Sequence, residues 1–540
     1  MTLHPSDLRA GDWLHLIEID YEGQTVRLAE EPVSGKPWGP LSASVDFFGG
    51  LDIGTRFDLE IDLFADTPAD RALSATLDLA SVVSGFAARA LDGGSLLGAR
   101  ARVYLHPVGT TQRFVVFRGA VTSEEFGADV EPVTISASSD PGEDYGTVHD
   151  PSDTIRSFDV IDIDEEQIDS LIPVVFGRPG AGSLTSPNDH FFGTPGFWIR
   201  VTGVSEWRIV AANSRTAAGE AGDPLFVWNV TQERGEYENA ELLADDTGKI
   251  RTVIDLGSWT THPAENGDEI WVDWNRSSGG ISRYGGDAVR GAGDVLFWLA
   301  SRVRGVDLDM QRIASLAPLL NKYKIDAGIW DPDGDGVSPL EWAQEYILPI
   351  LPISLVDGPD GAHFVLWRPD ASRSDAVAVI DTTINASRAG EVESSRLSGI
   401  ANDITFKYGV DAKTEKPTRS IRVTGRQDIA NTIDTARLGL YAQRSSQTFG
   451  HRQGPPVVAP AIWDDATATA CLTWLERRFA LPSHSVSYSV RPDLAWLSPG
   501  DVVALTDPDI GVSDRVCLVE VVSPSRSGDV LIRVRLYSNV

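Results

Sequence analysis

The sequence predicts a mainly β, multidomain protein with a smaller α/β part. Short runs with alternating apolar residues are punctuated throughout by 50 Gly and 31 Pro, and the pattern turns helical chiefly between about 285 and 355. At 540 residues the chain exceeds what one hydrophobic core serves, so several domains are expected. Its 42% hydrophobic and 23% charged content is that of a folded chain and not of a disordered one.

The elements follow in order. WLHLIEIDYEGQTVRLAEEPV, from Trp13, reads as two strands about a Glu22-Gly23 turn, because two residues that accept positive φ sit between alternating runs. TRFDLEIDLF, ARARVYLHPV, RFVVFRGAV and EPVTISASS continue as strands, which predicts a β-barrel or sandwich over 1–150. RALSATLDLASVVSGFAARALDG, 71–93, fits strand or helix. An acidic link then leads to IPVVFG and a β-rich insertion over 151–283 that closes on GDEIWVDW.

In an α/β middle domain over 284–394, GDVLFWLASRVRG reads as a helix with Asp294 as N-cap and Gly305 past its end. DMQRIASLAPLLN and SPLEWAQEYILPI predict two more helices, and HFVLWRP and AVAVIDTT predict strands. The last region, 395–540, reads as a second barrel containing one helix. That helix is DDATATACLTWLERRFALP, capped by Asp464 or Asp465 and ended by Pro482.

The net charge of -32 repels phosphate backbones and anionic membranes, which argues against a broad nucleic-acid surface. It leaves room for nucleic acid that merely slides past an acidic wall. Two cysteines, Cys471 and Cys517, neither form a disulfide framework nor match a zinc motif. The start lacks the basic and apolar regions of a secretory signal and no apolar run reaches transmembrane length, so a chain made in the cytoplasm and kept out of membranes is expected. Fifteen Trp is a high count. Such rings can line a sugar-binding cleft, although filling barrel cores and subunit interfaces is their commoner use.

Three stretches carry candidate chemistry. In DPDGDGVSPLEW, Asp331, Asp333 and Asp335 alternate ahead of Gly336 as in a calcium loop, but the twelfth position, where a bidentate Glu belongs, is Trp342. The same residues suit a helix start, with Ser338 as N-cap, Pro339 next and Glu341 as its capping partner. Asp331, Asp333 and Asp335 therefore stay weak metal candidates, and no cofactor is expected. The second stretch surrounds Trp271, where Asp268, Glu269 and Asp273 could serve glycan binding or cleavage; the alternative is a strand buried on both faces. Nine scattered His, with no zinc-hydrolase, nucleophile-elbow or phosphate-loop motif, point to no catalytic residue.

Several segments together resemble the hub proteins of bacteriophage tails, a family spanning contractile-phage baseplate hubs and the tail-tip hubs of flexible tails and gene transfer agents. EIDYEGQTVRLAEEPV, GARARVYLHP and VVFRGAV resemble its opening barrel; IPVVFG at 172–177 and NDITFKYG at 402–409 resemble recurrent segments. QTFGHRQGPPVVAPAIWDDATATACLTWLERRF leads to WLSPGDVVALTDPDIGVSDRVCLVEVVSPSRSGDVLIRVRLY in the family's order of return strand, helix and barrel hairpin, with a turn at Gly500 and Asp501. The resemblance implies a non-enzymatic virion tail-tip protein: a homotrimer whose two barrels per subunit alternate in a ring. That ring would adapt a sixfold tail tube or distal tail protein to a threefold tip. Tape-measure, tip or fibre proteins would be neighbours, and DNA would pass only through the lumen. The rival expectations are a glycan-binding or glycan-cleaving tail or cell-surface protein and, resting on Asp331 alone, a calcium-dependent adhesin.

Overall fold

A computed structural model describes residues 13–32, 47–53, 59–60, 72–79, 94–107, 114–126, 132–138 and 146–149, the strands between 161 and 273, and, with short gaps, 289–536. The fold is mainly β, as expected.

The N-terminal sheet has eight strands, in the order Phe48–Gly49, Gln24–Ala29, Trp13–Tyr21, Arg100–Pro107, Phe114–Phe126, Val133–Ser138, Ala72–Leu77 and Leu51–Ile53. Its first hairpin turns where the sequence places it. Glu22 and Gly23 both take positive φ, 46° and 77°, and Tyr21 pairs with Gln24. The two edge strands are consecutive in the chain, with only Gly50 between them. One pairs parallel through Leu28 and Phe48, the other antiparallel through Leu51 and Leu77. A sheet whose edges share one bent strand must curl until those edges nearly meet. Alternate residues such as Ile17, Ile19, Val103, Phe117 and Ile135 fill the inside.

The C-terminal sheet is a half-barrel whose edges stand in a similar relation. Its path runs Ala378–Asp381, Val502–Asp507, Val512–Pro524, Val530–Leu536, His484–Val490 and Ala386–Arg388, so its edges too are neighbours in sequence. The four residues between them form a tight turn. Asp381 Oδ1 accepts from the Thr383 amide at 2.8 Å and hydroxyl at 2.6 Å, and Asn385 Oδ1 accepts from the Asp381 amide at 2.8 Å. The two barrels share one apolar cluster, in which Ile17 and Phe117 belong with Tyr488, Val519 and Ile532. The strand Leu59–Glu60 leaves the first barrel to pair with Val521 and Val522 of the second, next to a register shift in Val512–Pro524.

A second large core lies beside them, built around the helices Ala292–Ala300, Met310–Leu320 and Pro339–Tyr346. It also takes in the sheet Ala436–Leu438, Pro417–Thr424, Asp403–Val410, Val457–Ala459, and the helix Asp465–Phe479 on that sheet. Core membership is thus interleaved. Strands 378–394 belong to the C-terminal barrel, while 403–479 pack with the helices, an arrangement that the linear division at 394 leaves out. The insertion contributes a five-stranded and a four-stranded sheet, and Val174–Phe176 ties it to the middle core by pairing with Ala327–Ile329.

The helix starts need two corrections. Asp294 is not an N-cap: the helix begins at Ala292, and the Asp294 amide is satisfied by Asn321 Oδ1 at 3.0 Å. Gly305 lies outside the described residues. Among its described residues the region 395–540 holds three α-helices where one was expected, because Gln427–Thr432 and Leu440–Phe449 are helical as well. The latter mixes good helix formers such as Leu440, Ala442 and Gln443 with Ser and Thr. It is anchored from outside, where buried Glu476 accepts from the amides of Tyr441 at 2.9 Å and Ala442 at 3.0 Å. Asp309, Ser338 and Asp464 do cap their helices, accepting from the amides of Arg312, Glu341 and Thr467. Of the ambiguous stretch 71–93, Ala72–Leu77 is strand and 80–93 lies outside the described residues.

Candidate functional site

Gly336, Val337 and Ser338, which follow the acidic stretch that begins at Asp331, form part of the wall of a cleft of about 710 Å³ in the middle core. Asp331 is buried, and its Oδ2 accepts from the Gly336 amide at 2.7 Å. Gly336, at φ 90°, approaches the Thr147 methyl, and the Val337 carbonyl accepts from the Val148 amide at 2.8 Å. Asp331 thus carries a structural bond, while Asp333 and Asp335 lie outside the described residues. Among the described residues no group of three His, Cys, Asp or Glu side chains is placed to hold a metal.

Beyond the loop, the helix Pro339–Tyr346 presents Glu341, Trp342, Glu345 and Tyr346 to the cleft, and Glu415 and Trp463 face them. The three glutamates arrive from different causes. Glu341 and Glu345 lie one helical turn apart on one face, and Glu415, with φ 55°, lies just ahead of the strand Pro417–Thr424. None has a basic partner among the described residues. Burial, followed by the charges of Glu345 and Glu415, pushes the Tyr346 phenol above its ordinary pKa. Asp326, at the base of the cleft, is by contrast fully buried and neutralised by Arg290, whose Nε and Nη2 reach its two oxygens at 2.6 and 2.9 Å.

The glycan candidates fall apart as a sugar platform. Trp271 is only 7% exposed and sits opposite Trp228 in the paired strand, with Ile270 and Val272 buried beside it. The strand is covered on both faces, as the plainer reading had it. The Asp268 carboxylate is occupied with the side-chain amides of Asn229 at 2.6 Å and Gln232 at 2.8 Å. Glu269 and the Asp273 side chain lie outside the described residues.

The other charged clusters are structural. Asp403, fully buried, accepts two bonds from Arg422, both 2.6 Å, and one from His451 at 2.6 Å. Burial works to raise its pKa, but the hydrogen bonds from Arg422 and His451 outweigh it and hold the carboxyl below its ordinary value. In the C-terminal barrel, buried Glu520 pairs with Arg535 and accepts from Ser485 at 2.7 Å, and buried Asp507 accepts from Tyr488 at 3.0 Å. Sequence reasoning found the loop and missed the cleft, whose acidic walls come from segments 70 residues apart in the chain.

Residues 423–521, which span the end of the α/β core and the strands His484–Val490, Val502–Asp507 and most of Val512–Pro524 of the C-terminal sheet, match the family of putative phage tail proteins. No protein of curated function matches the sequence. Among solved structures, a chain of the virion of a native gene transfer agent particle is 11% identical, with 73% of this chain and 90% of that one covered, at a TM-score of 0.39. A tail protein from Neisseria meningitidis MC58 is 11% identical, with 97% of each chain covered, at 0.32. The prophage tail protein gp18 from Listeria monocytogenes EGD-e is 12% identical, with 67% and 87% covered, at 0.23. At such scores no residue of this chain is matched to a role in those proteins.

Proposed function

We propose that the chain is a non-enzymatic structural protein of a bacteriophage tail or tail-like particle, and within it the hub at the tail tip. The observation that carries this is the tail-family match over 423–521. The fold supports it: a nearly closed barrel and a half-barrel in one subunit, joined by a common core, offer two β building blocks for a ring. Barrels that close their own edges associate through side-chain faces and avoid open-ended strand addition, and homo-oligomers usually close with cyclic symmetry. On this reading three copies form a ring of six alternating barrels between a sixfold tube or distal tail ring and a threefold tip. Tape-measure and fibre or tip proteins are its neighbours. The carboxylate excess falls almost wholly before residue 400, while 400–540 carries nearly equal numbers of acidic and basic residues. Acidic walls suit a lumen through which DNA passes without adhering.

The test is electron microscopy with symmetry left free, on the purified chain and on the chain co-expressed with the neighbouring ring protein of its particle. Threefold rings with a central channel are expected. A chain that stays monomeric in both preparations, and is missing from purified particles by mass spectrometry, overturns the reading.

A further inference from the structure

The cleft in the middle core has features that neither folding nor ring assembly requires. Three carboxylates, those of Glu341, Glu345 and Glu415, share it without a basic partner among the described residues, and no described lining residue is Lys, Arg or His. In a chain of net charge -32 such a gathering is self-repelling, and a bound cation relieves it. The walls are aromatic as well as acidic. Trp342 is 8% exposed and Trp463 7%, and Tyr346 stacks at a tilt on Trp342 with ring centroids 5.3 Å apart. Neither indole N–H has an acceptor among the described residues, and neither is sealed from solvent, so both remain free to donate to something that enters.

We propose that this cleft binds a basic side chain, arginine or lysine, carried on an extended peptide segment of a partner protein. The glutamates and ring faces meet the cation, where partial desolvation strengthens both attractions. The indole donors meet backbone carbonyls beside that side chain, which a free polyamine does not offer. The volume of about 710 Å³ is that of a site taking a few residues, not a whole protein face. The proposal stands apart from the tail reading, since either can fail alone.

The test is isothermal titration calorimetry of the full-length chain at low ionic strength, with a blocked Gly-Arg-Gly tripeptide and with agmatine as the free-cation arm. The peptide is expected to bind more tightly than agmatine. The double variant Glu345→Gln/Glu415→Gln should weaken it at least about tenfold, as loss of charge-assisted contacts does. A charge-matched control, Glu391→Gln/Glu393→Gln, alters two exposed carboxylates away from the cleft and should bind as the parent does. Tyr346→Leu, which keeps apolar bulk and removes the ring face, should weaken binding severalfold. No binding of either probe, or equal loss in the control, overturns the site. Agmatine binding as tightly as the peptide overturns the peptide assignment.

Discussion

Asp403 concentrates the chemistry of a buried charge into one residue. Its carboxylate is fully buried yet bonded by Arg422 and His451, so removing its charge strands a guanidinium in the interior. Asp403→Asn should lower stability by about 3 kcal/mol, read from urea unfolding midpoints. The pH dependence has a definite sign. Because the folded pKa lies below the unfolded value of about 4, the stabilisation is complete above that value and is lost as pH falls through the folded pKa. The parent should therefore lose stability in acid more steeply than Asp403→Asn. Cys471 and Cys517 make the opposite case. Desolvation pushes each thiol up to about 12, so at pH 8 iodoacetamide should leave both unmodified in the native protein and label both after unfolding.

Two glycines determine how elements meet. Gly50 turns the shared strand of the first barrel at φ 121°, and a Cβ there would lie 2.8 Å from that of Asp78, whose amide donates to the Gly50 carbonyl at 2.8 Å. Gly50→Ala should cost roughly 1–3 kcal/mol by thermal or urea unfolding, since it strains the point at which the sheet edges meet. Gly293 lies inside the helix Ala292–Ala300, where propensity alone favours alanine by about 1 kcal/mol. A Cβ at 293, however, would sit 2.2 Å from the Ala317 carbonyl of the crossing helix. Gly293→Ala should thus destabilise, and a stabilised variant would show that the two helices separate easily.

Taken whole, the molecule is interleaved. The C-terminal barrel needs strands 378–388 as well as 484–536, and the segment between them is buried elsewhere with the helices. A fragment of residues 395–540 lacks both edge strands that close that barrel. It should give a collapsed, poorly dispersed NMR spectrum, whereas a fragment beginning at 289 keeps them and should give dispersed amide signals from the barrel. The fused core also implies that the two barrels unfold together, in one transition by circular dichroism and tryptophan fluorescence.

What the sequence by itself determined was local. The Glu22-Gly23 hairpin, the caps at Ser338 and Asp464, and the alternating barrel strands follow from steric and hydrogen-bonding preferences that act within a few residues. That Trp342 stands at the twelfth position from Asp331, where an EF-hand needs a bidentate Glu, was also legible. Tertiary structure decided the rest. It supplied Glu476 as a distant cap for Leu440–Phe449, buried Trp271 from both sides, and curled each barrel-like sheet so that its edges come from segments adjacent in the chain. It also brought Glu415 to Glu341 and Glu345. Each of these depends on contacts between segments far apart in the chain, and local propensity holds no information about which distant partner will arrive.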